Sequence, residues 1–518
     1  MKLVEYLLLS SVTSLITIGG AQAADLPLKA KPAEYVKVCS LYGAGFYYIP
    51  GSDTCLKLGG YMMVDVLINS NSDDTGNTSG AGGAKNRFTN AYTWRGRADL
   101  NIDTRTATEY GVVRTYFDAI FGWDSGTYSG TTPGATVYNS IGGVPAPGNA
   151  GAGVATGGLG VYYAFIQFAG FTMGKAVSQF STPWTNYPGN TFDGLIGGGG
   201  TITGVNQFTY TAELGEGVSL TISAQDQVAY YQAGVNNING LGGTPLAAFG
   251  AGDYSGTKAP DIVGVTRVAG AWGAFQASFA AHDNAAAYYD GFQNNGGPSD
   301  KWGWAGQLAL SINNIPTGVG DTINVTGVYT DGATRYNIQD LGSAAGANTI
   351  YGNTSLPGAY QSIGFGMAPD TVFGTLNGVK TGQQTVQTWG ARAAFSHNWD
   401  PHWSTSIYGA YAAVTYNDTS KQLICGDGVA GGSFHAIYGA GVTRCNPDYN
   451  ITQIGIVQRW TPVKNLTFSA DLTYTMLDQK MSGTISAPAV ASIGKPGATY
   501  ELKDQNTLLL LLRARRNW

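Results

Sequence analysis

"TWRGRADLNID", residues 93–103, indicates the fold class of this chain, because its side chains change character at every step. The polar positions are Thr93, Arg95, Arg97, Asp99, Asn101 and Asp103, and the positions between them are Trp94, Gly96, Ala98, Leu100 and Ile102. Successive side chains of a β-strand point to opposite faces, whereas a helix cannot sort residues in this way. The stretch therefore predicts a strand with one charged face and one apolar face.

The same alternation recurs along the chain, for example in "LTFSADLTYTML" at residues 466–477. We expect sixteen such strands between residues 56 and 518. The links between them alternate in length, since short ones such as 104–109 are followed by long Gly-, Ser-, Asn- and Thr-rich ones such as 124–160. An even number of antiparallel strands with short turns at one end and long loops at the other is typical of outer-membrane β-barrels.

Composition favours a membrane location over a soluble domain. Charged residues are only 12% of the 518 residues, against about 25% in ordinary soluble domains. The 31 tyrosines and the low content of charged residues argue against disorder, since disordered chains lack aromatic residues and are highly charged. The run of five leucines from Leu508 to Leu512, like every other apolar run after the N-terminal segment, is far shorter than the roughly 20 residues of a membrane helix. Any crossing of a membrane must therefore use strands.

The N-terminus predicts export. Lys2 precedes an apolar stretch that ends in Ala21-Gln22-Ala23, a small-x-small cleavage pattern. We expect a signal peptide at residues 1–23 and one barrel domain at residues 24–518. Glu5 is unusual within the apolar part, which leaves an uncleaved anchor as the alternative.

The four cysteines lie as two local pairs, Cys39 with Cys55 and Cys425 with Cys445. In an exported protein this spacing suggests two disulfides that each close a short loop. CxxC spacing is absent and no histidine lies close to these cysteines in the sequence, so we expect no metal site and no cofactor. The net charge of −5 argues mildly against nucleic acid as a partner.

The barrel explains why charges alternate with apolar residues. A sheet in lipid must close on itself, with apolar side chains outward and polar side chains inward. Sixteen strands enclose a space too wide for side chains to fill, which leaves an aqueous channel. The predicted fold is an all-β, sixteen-stranded antiparallel transmembrane β-barrel with long extracellular loops and short periplasmic turns. Acidic residues expected on its lumen lining are Asp65, Asp99, Asp103 and Asp118.

Basic residues on the first three strands occupy the alternating positions whose side chains are expected to point into the barrel. They are Lys57, Arg95, Arg97 and Arg114. Like charges placed close together cost free energy unless water or carboxylates screen them, so their adjacency suggests a functional electric field on one arc of the wall. The alternative is structural: these arginines would pair with Asp65, Asp99 and Asp118 and stiffen the wall.

The third long link, residues 181–206, is the candidate constriction loop. It combines aromatic residues, two prolines and a glycine run with a single acidic residue, Asp193. If the loop folds into the lumen, Asp193 faces the basic arc, and the resulting transverse field would discriminate between ions by charge. The alternative is an ordinary exposed surface loop.

Tryptophans cluster where the predicted strands end. They are Trp94, Trp302, Trp304, Trp389, Trp399, Trp403 and Trp460. Such residues form the girdles of membrane barrels at the lipid–water boundary, because the ring is apolar and its N–H is polar. Some of them could instead be packing residues.

Catalytic motifs are lacking. The sequence has no GxSxG, no HExxH and no Gly-rich phosphate loop that ends in Gly-Lys-Ser/Thr. We therefore expect no enzyme, and the favoured function is a passive pore for small hydrophilic solutes. One alternative is a surface adhesin or receptor barrel whose long loops bind a partner, and another is a secreted soluble β-rich enzyme.

Several stretches resemble the general porins of alphaproteobacteria of the rhizobial type. The resemblance is carried by residues 24–66, which include "GFYYIPG" and "LKLGG", and by 94–119 and 164–180. Between about residues 220 and 450 only the strand pattern can be aligned. The resemblance implies a homotrimer of sixteen-stranded barrels in the outer membrane, each narrowed by its third long loop. It also implies that the terminal Trp518, where many porins carry Phe, is recognised by the outer-membrane assembly machinery.

Overall fold

A computed structural model shows sixteen β-strands that form one closed barrel. The described residues are 37–70, 92–124, 158–182, 184, 195–199, 204–226, 233–240, 254–338, 348–353, 361–429, 441–487 and 497–518. In chain order the barrel strands are β1 (Cys55–Asn69), β2 (Tyr92–Thr108), β3 (Gly111–Asp124), β4 (Gly158–Phe168), β5 (Phe171–Ala176), β6 (Val205–Gly215), β7 (Val218–Gln225), β8 (Asp261–Gly270), β9 (Gly273–Asn284), β10 (Lys301–Asn313), β11 (Thr322–Asp331), β12 (Gln387–Asn398), β13 (Trp403–Thr415), β14 (Tyr449–Val463), β15 (Leu466–Gln479) and β16 (Gln505–Asn517).

The barrel closes through its first and last strands. Each strand pairs antiparallel with the next. β16 pairs with β1 in a register that runs from Tyr61 opposite Asn517 to Asn69 opposite Leu509. Closure leaves no unpaired strand edge, which is the condition for a sheet to lie in hydrocarbon. The predicted sixteen-stranded barrel is confirmed.

The two faces of the wall differ as the alternation predicts. On β1, Leu58 and Met62 are 50% and 59% exposed, whereas Asp65 is 2% exposed. On β15, Leu472 is 40% exposed and its neighbour Asp471 is fully buried. Apolar side chains therefore point away from the barrel and acidic ones point into it, the reverse of a soluble barrel.

The predicted tryptophans all lie on the exposed outer surface near strand ends. At the long-loop end they are Trp94, Trp302, Trp304 and Trp389, and at the short-turn end they are Trp399, Trp403 and Trp460. The rings of Trp403 and Trp460 stack at 5.8 Å, and Phe468 extends the stack at 5.5 Å from Trp460. Two aromatic girdles are the expected anchors at the two boundaries of a membrane.

The long loops carry their own secondary structure. Among the described loop residues, helix α1 spans Asp418–Cys425, and its N-cap Asn417 accepts a hydrogen bond from the Ser420 N–H at 2.8 Å. The short strands outside the barrel are Tyr47–Tyr48, Val235–Asn237, Asn348–Asn353, Gln361–Gly366, Thr371–Phe373, Thr375–Leu376, Val379–Lys380, Gln384–Thr385, Val442–Arg444, Ser482–Ala487 and Ala498–Leu502. Single 3₁₀ turns are Ser40–Tyr42, Ile238–Gly240, Gln293–Asn295 and Thr334–Tyr336.

Not every side chain that points into the barrel is polar, although a strict alternation of polar and apolar residues would predict this. Towards the long-loop end, inward Ala410, Ala412 and Ile451 are buried in a hydrophobic cluster with Ile363 and Met367 of the loops. The loops fold over this part of the wall and exclude water from it. Inward side chains there pack against protein, so apolar residues are favoured.

Both expected disulfides are present. Cys39 is bonded to Cys55, the first residue of β1, with their Cα atoms 6.0 Å apart. Cys425, the last residue of α1, is bonded to Cys445 with their Cα atoms 5.7 Å apart. The first bond ties a segment before the barrel to the barrel, and the second organises a long loop.

The predicted signal peptide, residues 1–23, lies outside the described residues. In the part of the chain that the structure describes, no helix is long and apolar enough to span a membrane.

Candidate pore lining and constriction

The third long loop joins β5 to β6, and two of its described stretches, residues 177–182 and 195–199, lie inside the barrel. Gln307 on the inner face of β10 binds it twice, since its Nε2 donates to the Phe180 carbonyl and its Oε1 accepts from the Gly199 N–H, both at 2.9 Å. Gln453 of β14 accepts from the Ile196 N–H at 3.1 Å. β10 lies half of the ring of sixteen strands away from β2, so these contacts place the loop against the wall opposite β2.

A buried arginine also binds this loop. Arg392 of β12 is 2% exposed. Its Nη1 donates to the Leu195 carbonyl at 3.3 Å and its Nη2 donates to the Gly199 carbonyl at 2.9 Å. The described stretches of the loop are therefore folded into the lumen, as predicted, and are not exposed on the surface.

The glycine run allows this close approach. Gly197 has φ of +89°, and a Cβ atom there would lie 2.4 Å from the Ala391 carbonyl oxygen of β12. Only glycine combines a left-handed backbone with so little space. On the wall, a Cβ at Gly390 would lie 3.0 Å from the Gly197 Cα. Asp193, the predicted acidic residue of the loop, lies outside the described residues.

The basic residues predicted for one arc lie at two levels of the wall. Arg95 stands opposite Asp65, whereas Lys57 stands opposite Asp103. Eight positions separate Lys57 from Asp65 on β1, a distance of about 26 Å at about 3.3 Å per residue. Arg97 lies on the same face as Arg95, two positions further along β2 and opposite Met63. A single cluster was expected because the strands are adjacent, but the strand register sets the level of each side chain.

Arg114 belongs to the lower level, near the short turns. It stands opposite Arg105, and the Nη2 atoms of both arginines reach Asp103 Oδ2, at 3.0 Å from Arg114 and 2.9 Å from Arg105. Arg114 Nη1 also donates to Gln167 Oε1 at 2.9 Å. Arg114 therefore pairs with Asp103, an aspartate that the structural alternative did not name as a partner.

The other predicted acidic residues have different partners. Asp65 receives a bidentate ion pair from Arg513 of β16, with Nε–Oδ1 at 2.7 Å and Nη2–Oδ2 at 3.0 Å. Asp99 accepts from Asn101 Nδ2 at 3.2 Å. All four predicted aspartates lie on inner strand faces, where each is less than 10% exposed.

Asp118 accepts from the Tyr116 hydroxyl at 3.3 Å. Next to this acidic part of the wall, the Arg515 guanidinium lies 4.0 Å from the centre of the Tyr61 ring. Arginines and aromatic rings are thus interleaved on the inner face.

Sequence reasoning missed the residues that hold the loops. The alternation was a signal that could have found these residues, because all of them are polar and occupy strand positions that point into the barrel. They are Arg392, Gln307 and Gln453. Their loop partners are backbone groups, however, and no sequence pattern marks which carbonyl or N–H a side chain will meet.

A second missed cluster ties two other loops to the wall. His282 of β9 is fully buried, with its Nδ1 at 2.9 Å from Asp261 and its Nε2 at 3.3 Å from Asp370. Asp370 accepts the backbone N–H groups of Ala233 at 2.7 Å and Thr334 at 2.6 Å. The cluster therefore connects β8 and β9 to the loops that follow β7 and β11.

Comparison with known proteins agrees with this architecture. Residues 25–511 match a family described as the Porin subfamily. The chain belongs to this porin family. Porin Omp2b of Brucella suis biovar 1 (strain 1330) is 30% identical over 297 residues, which cover 54% of this chain and 66% of the relative. Porin Omp2b of Brucella melitensis biotype 1 is 30% identical over 301 residues, with the same shares covered.

A solved structure supports the fold. The outer-membrane channel DcaP of Acinetobacter baumannii aligns with a TM-score of 0.52 and 14% identity, over 91% of this chain and 99% of that one. The alphaproteobacterial porin resemblance is thus confirmed, and the chain is a β-barrel of the outer membrane. The family points to a channel rather than to an enzyme.

Proposed function

We propose that this porin forms a water-filled passive diffusion channel for small hydrophilic solutes and ions across the outer membrane. The observation that carries the proposal is the third loop, which Gln307, Arg392 and Gln453 hold inside a closed barrel. A loop bound to one side of the lumen narrows the path without closing the ring of strands. Solutes would pass between this loop and the charged inner face of β1–β3.

The proposed constriction uses Lys57, Arg95, Arg97 and Arg114 on the wall and Asp193 on the loop. Their opposite charges would set a field across the path, so that charge as well as size would govern passage. Because the wall residues lie at two levels, a solute would meet Arg95 and Arg97 nearer the long loops and Lys57 and Arg114 nearer the short turns.

The functional unit would be a homotrimer, as the family resemblance implies, with outer-membrane lipid as its surroundings. Trp518 would be read by the assembly machinery. The backbone N–H of Trp518 donates to the Gly60 carbonyl at 3.1 Å, while the residue stays 55% exposed. The proposed recognition therefore has an accessible ring at the end of the chain.

Single-channel recording of the purified protein in a planar lipid bilayer tests this function. An open trimer should give three equal conductance steps for each insertion event. Insertion without any conductance would contradict the channel.

A receptor or adhesin barrel is the second candidate, favoured by the folded layer of the long loops. Five short strands form one sheet there, and they are Asn348–Asn353, Gln361–Gly366, Val442–Arg444, Ser482–Ala487 and Ala498–Leu502. Such a layer could present a binding surface for a partner. Conductance separates the two candidates, because a barrel that serves only as a receptor should be plugged.

A further inference from the structure

A segment that precedes the barrel forms part of its inner surface at the short-turn end. The disulfide between Cys39 and Cys55 closes this segment, and backbone hydrogen bonds hold it, among them Cys39 N–H to Phe46 O at 3.0 Å. Phe46 is 4% exposed, and its ring lies 5.9 Å from the ring of Tyr42 in an edge-on contact. The segment therefore presents two fixed aromatic rings.

These rings lie against basic residues of the inner wall. The Arg105 guanidinium is 4.9 Å from the centre of the Phe46 ring and 5.7 Å from that of Tyr42. Lys57 Nζ lies 5.8 Å from the centre of the Phe46 ring. Cations over aromatic faces attract each other electrostatically, so the segment is held inside the mouth of the barrel.

The neighbouring strands continue the same chemistry. The Arg114 guanidinium is 5.1 Å from the Tyr116 ring and 5.5 Å from the Phe165 ring, and these two rings stack at 5.4 Å. Strand register places Arg105, Arg114, Gln167 and Thr172 side by side on the inner face of β2 to β5. A continuous aromatic and basic surface thus runs around this part of the mouth.

A cavity of about 550 Å³ opens between the segment and this surface. Its polar and charged lining includes Tyr42, Arg105, Arg114, Gln167, Thr172 and Glu213. Asp103 is the carboxylate that both arginines share. Arg105 binds it through Nε and Nη2, and Arg105 Nη1 forms no hydrogen bond to any of the described residues.

We propose that this cavity is a binding site for small aromatic monocarboxylates on their way through the channel. The carboxylate would take a charge-assisted hydrogen bond from Arg105, while the ring would pack against Tyr42 and Val112 of the cavity lining. Glu213 on the same cavity disfavours dianions by charge repulsion. The transport role rests on the proposed channel function, but binding itself can be measured without it.

Single-channel recording with a matched set of solutes tests the site. 4-Hydroxybenzoate added at the short-turn side should interrupt the ion current at a frequency that rises with its concentration. Acetate has the charge without the ring, and benzyl alcohol has the ring without the charge. Neither should interrupt the current, and equal interruption by acetate would overturn the role of the aromatic surface.

Variants locate the site. Arg105→Gln should lower the affinity for 4-hydroxybenzoate about tenfold or more, as expected for loss of a charge-assisted hydrogen bond. Asp103 keeps its ion pair with Arg114 in this variant, so the wall stays paired. The matched control is Arg515→Gln, which also removes one guanidinium from the inner wall, although Arg515 does not line the cavity. The affinity of this variant for 4-hydroxybenzoate should stay within twofold of the wild-type value. Equal losses in the two variants would overturn the assignment.

Isothermal titration calorimetry on detergent-purified protein separates this proposal from the channel. Binding of 4-hydroxybenzoate that depends on Arg105 supports the site even if no conductance is found. A conducting protein that shows no binding overturns the site and leaves the channel intact. Phe46→Leu, which keeps the apolar volume and removes the ring behind Arg105, should weaken binding in the same assay; unchanged binding would show that the segment takes no part.

Discussion

Arg392 of β12 donates from Nη2 to the backbone carbonyl oxygen of Gly199, 2.9 Å away, and so joins the wall to a loop that begins at β5. Its Nη1 reaches the Leu195 carbonyl from the same planar group. A guanidinium suits this task because its donors are held in a rigid fork. This buried cation thus helps to set where the loop lies across the lumen, together with Gln307 and Gln453.

Replacing this cation should loosen the loop. Each hydrogen bond from a charged group contributes about 1.5–3 kcal/mol, so Arg392→Met removes a large part of the wall's hold on residues 195–199, which Gln307 and Gln453 still bind. We expect noisier single-channel currents and a higher mean conductance. Arg444→Met, at an exposed position of the short strand Val442–Arg444, is the control. Currents in Arg392→Met as steady as those of the wild type would contradict the anchoring role.

A methyl group at Gly197 should displace the loop. The backbone there is left-handed and a Cβ would meet the Ala391 carbonyl at 2.4 Å, so we expect Gly197→Ala to destabilise the barrel by about 1–3 kcal/mol. Gly378→Ala is matched in backbone, with φ of +77° and nothing within 4 Å of the added Cβ. Thermal unfolding in detergent should show the larger loss for Gly197→Ala. Equal losses of thermal stability in the two variants would mean that the left-handed backbone alone, and not contact with β12, determines the destabilisation.

Asp193 provides a test of the proposed field. Asp193→Lys removes the acidic residue that is expected to face the basic wall, so the pore should become more anion-selective. The reversal potential under a salt gradient measures this change. Glu216→Lys alters the charge by the same amount in an exposed short turn and should leave the reversal potential almost unchanged. If Asp193→Lys has no larger effect than the control, the loop residue lies outside the permeation path.

The short link before β11 contains a carboxylate with a shifted pKa. Burial acts to raise the pKa of Asp321, but hydrogen bonds outweigh it and lower the pKa to about 2. The donors are the Thr317 hydroxyl at 2.6 Å, the His397 ring at 2.6 Å and the Asn398 N–H at 2.9 Å. A lowered pKa means that this group stabilises the folded state above its unfolded value of about 3.9, and that the contribution is lost as the pH falls towards 2.

Asp321→Asn should therefore lower the thermal midpoint at pH 5, and the difference from the wild type should shrink as the pH approaches 2. Circular dichroism melts in an acid-stable detergent give both values. Asp53→Asn, in an exposed turn, supplies the control and should show little difference at either pH. If the difference in thermal midpoint between Asp321→Asn and the wild type stays constant with pH, the ionised carboxylate of Asp321 makes no contribution to stability.

The sequence by itself determined which side chains face lipid and which face the lumen. The alternation alone assigns Leu58 and Asp65 to opposite faces, because side-chain direction in a strand has a period of two and depends only on local backbone geometry. Closure and strand number followed from the same pattern and the alternating loop lengths, since lipid offers no partner for an open edge. The tryptophan girdles were predictable for a related reason, because position along a strand corresponds to depth in the membrane.

Only the tertiary structure decided how these side chains meet. Lys57 and Arg95 share a face but lie at different levels, because the register between β1 and β2 depends on the pairing of the whole strands. Arg392 finds Gly199, and Arg105 finds Phe46, across gaps of 193 and 59 residues in the chain. Contacts of this kind come from the path of loops and from closure of the disulfide, and neither leaves a periodic trace in the sequence. The physical reason is that alternation records direction, which is local, whereas a binding site depends on distance.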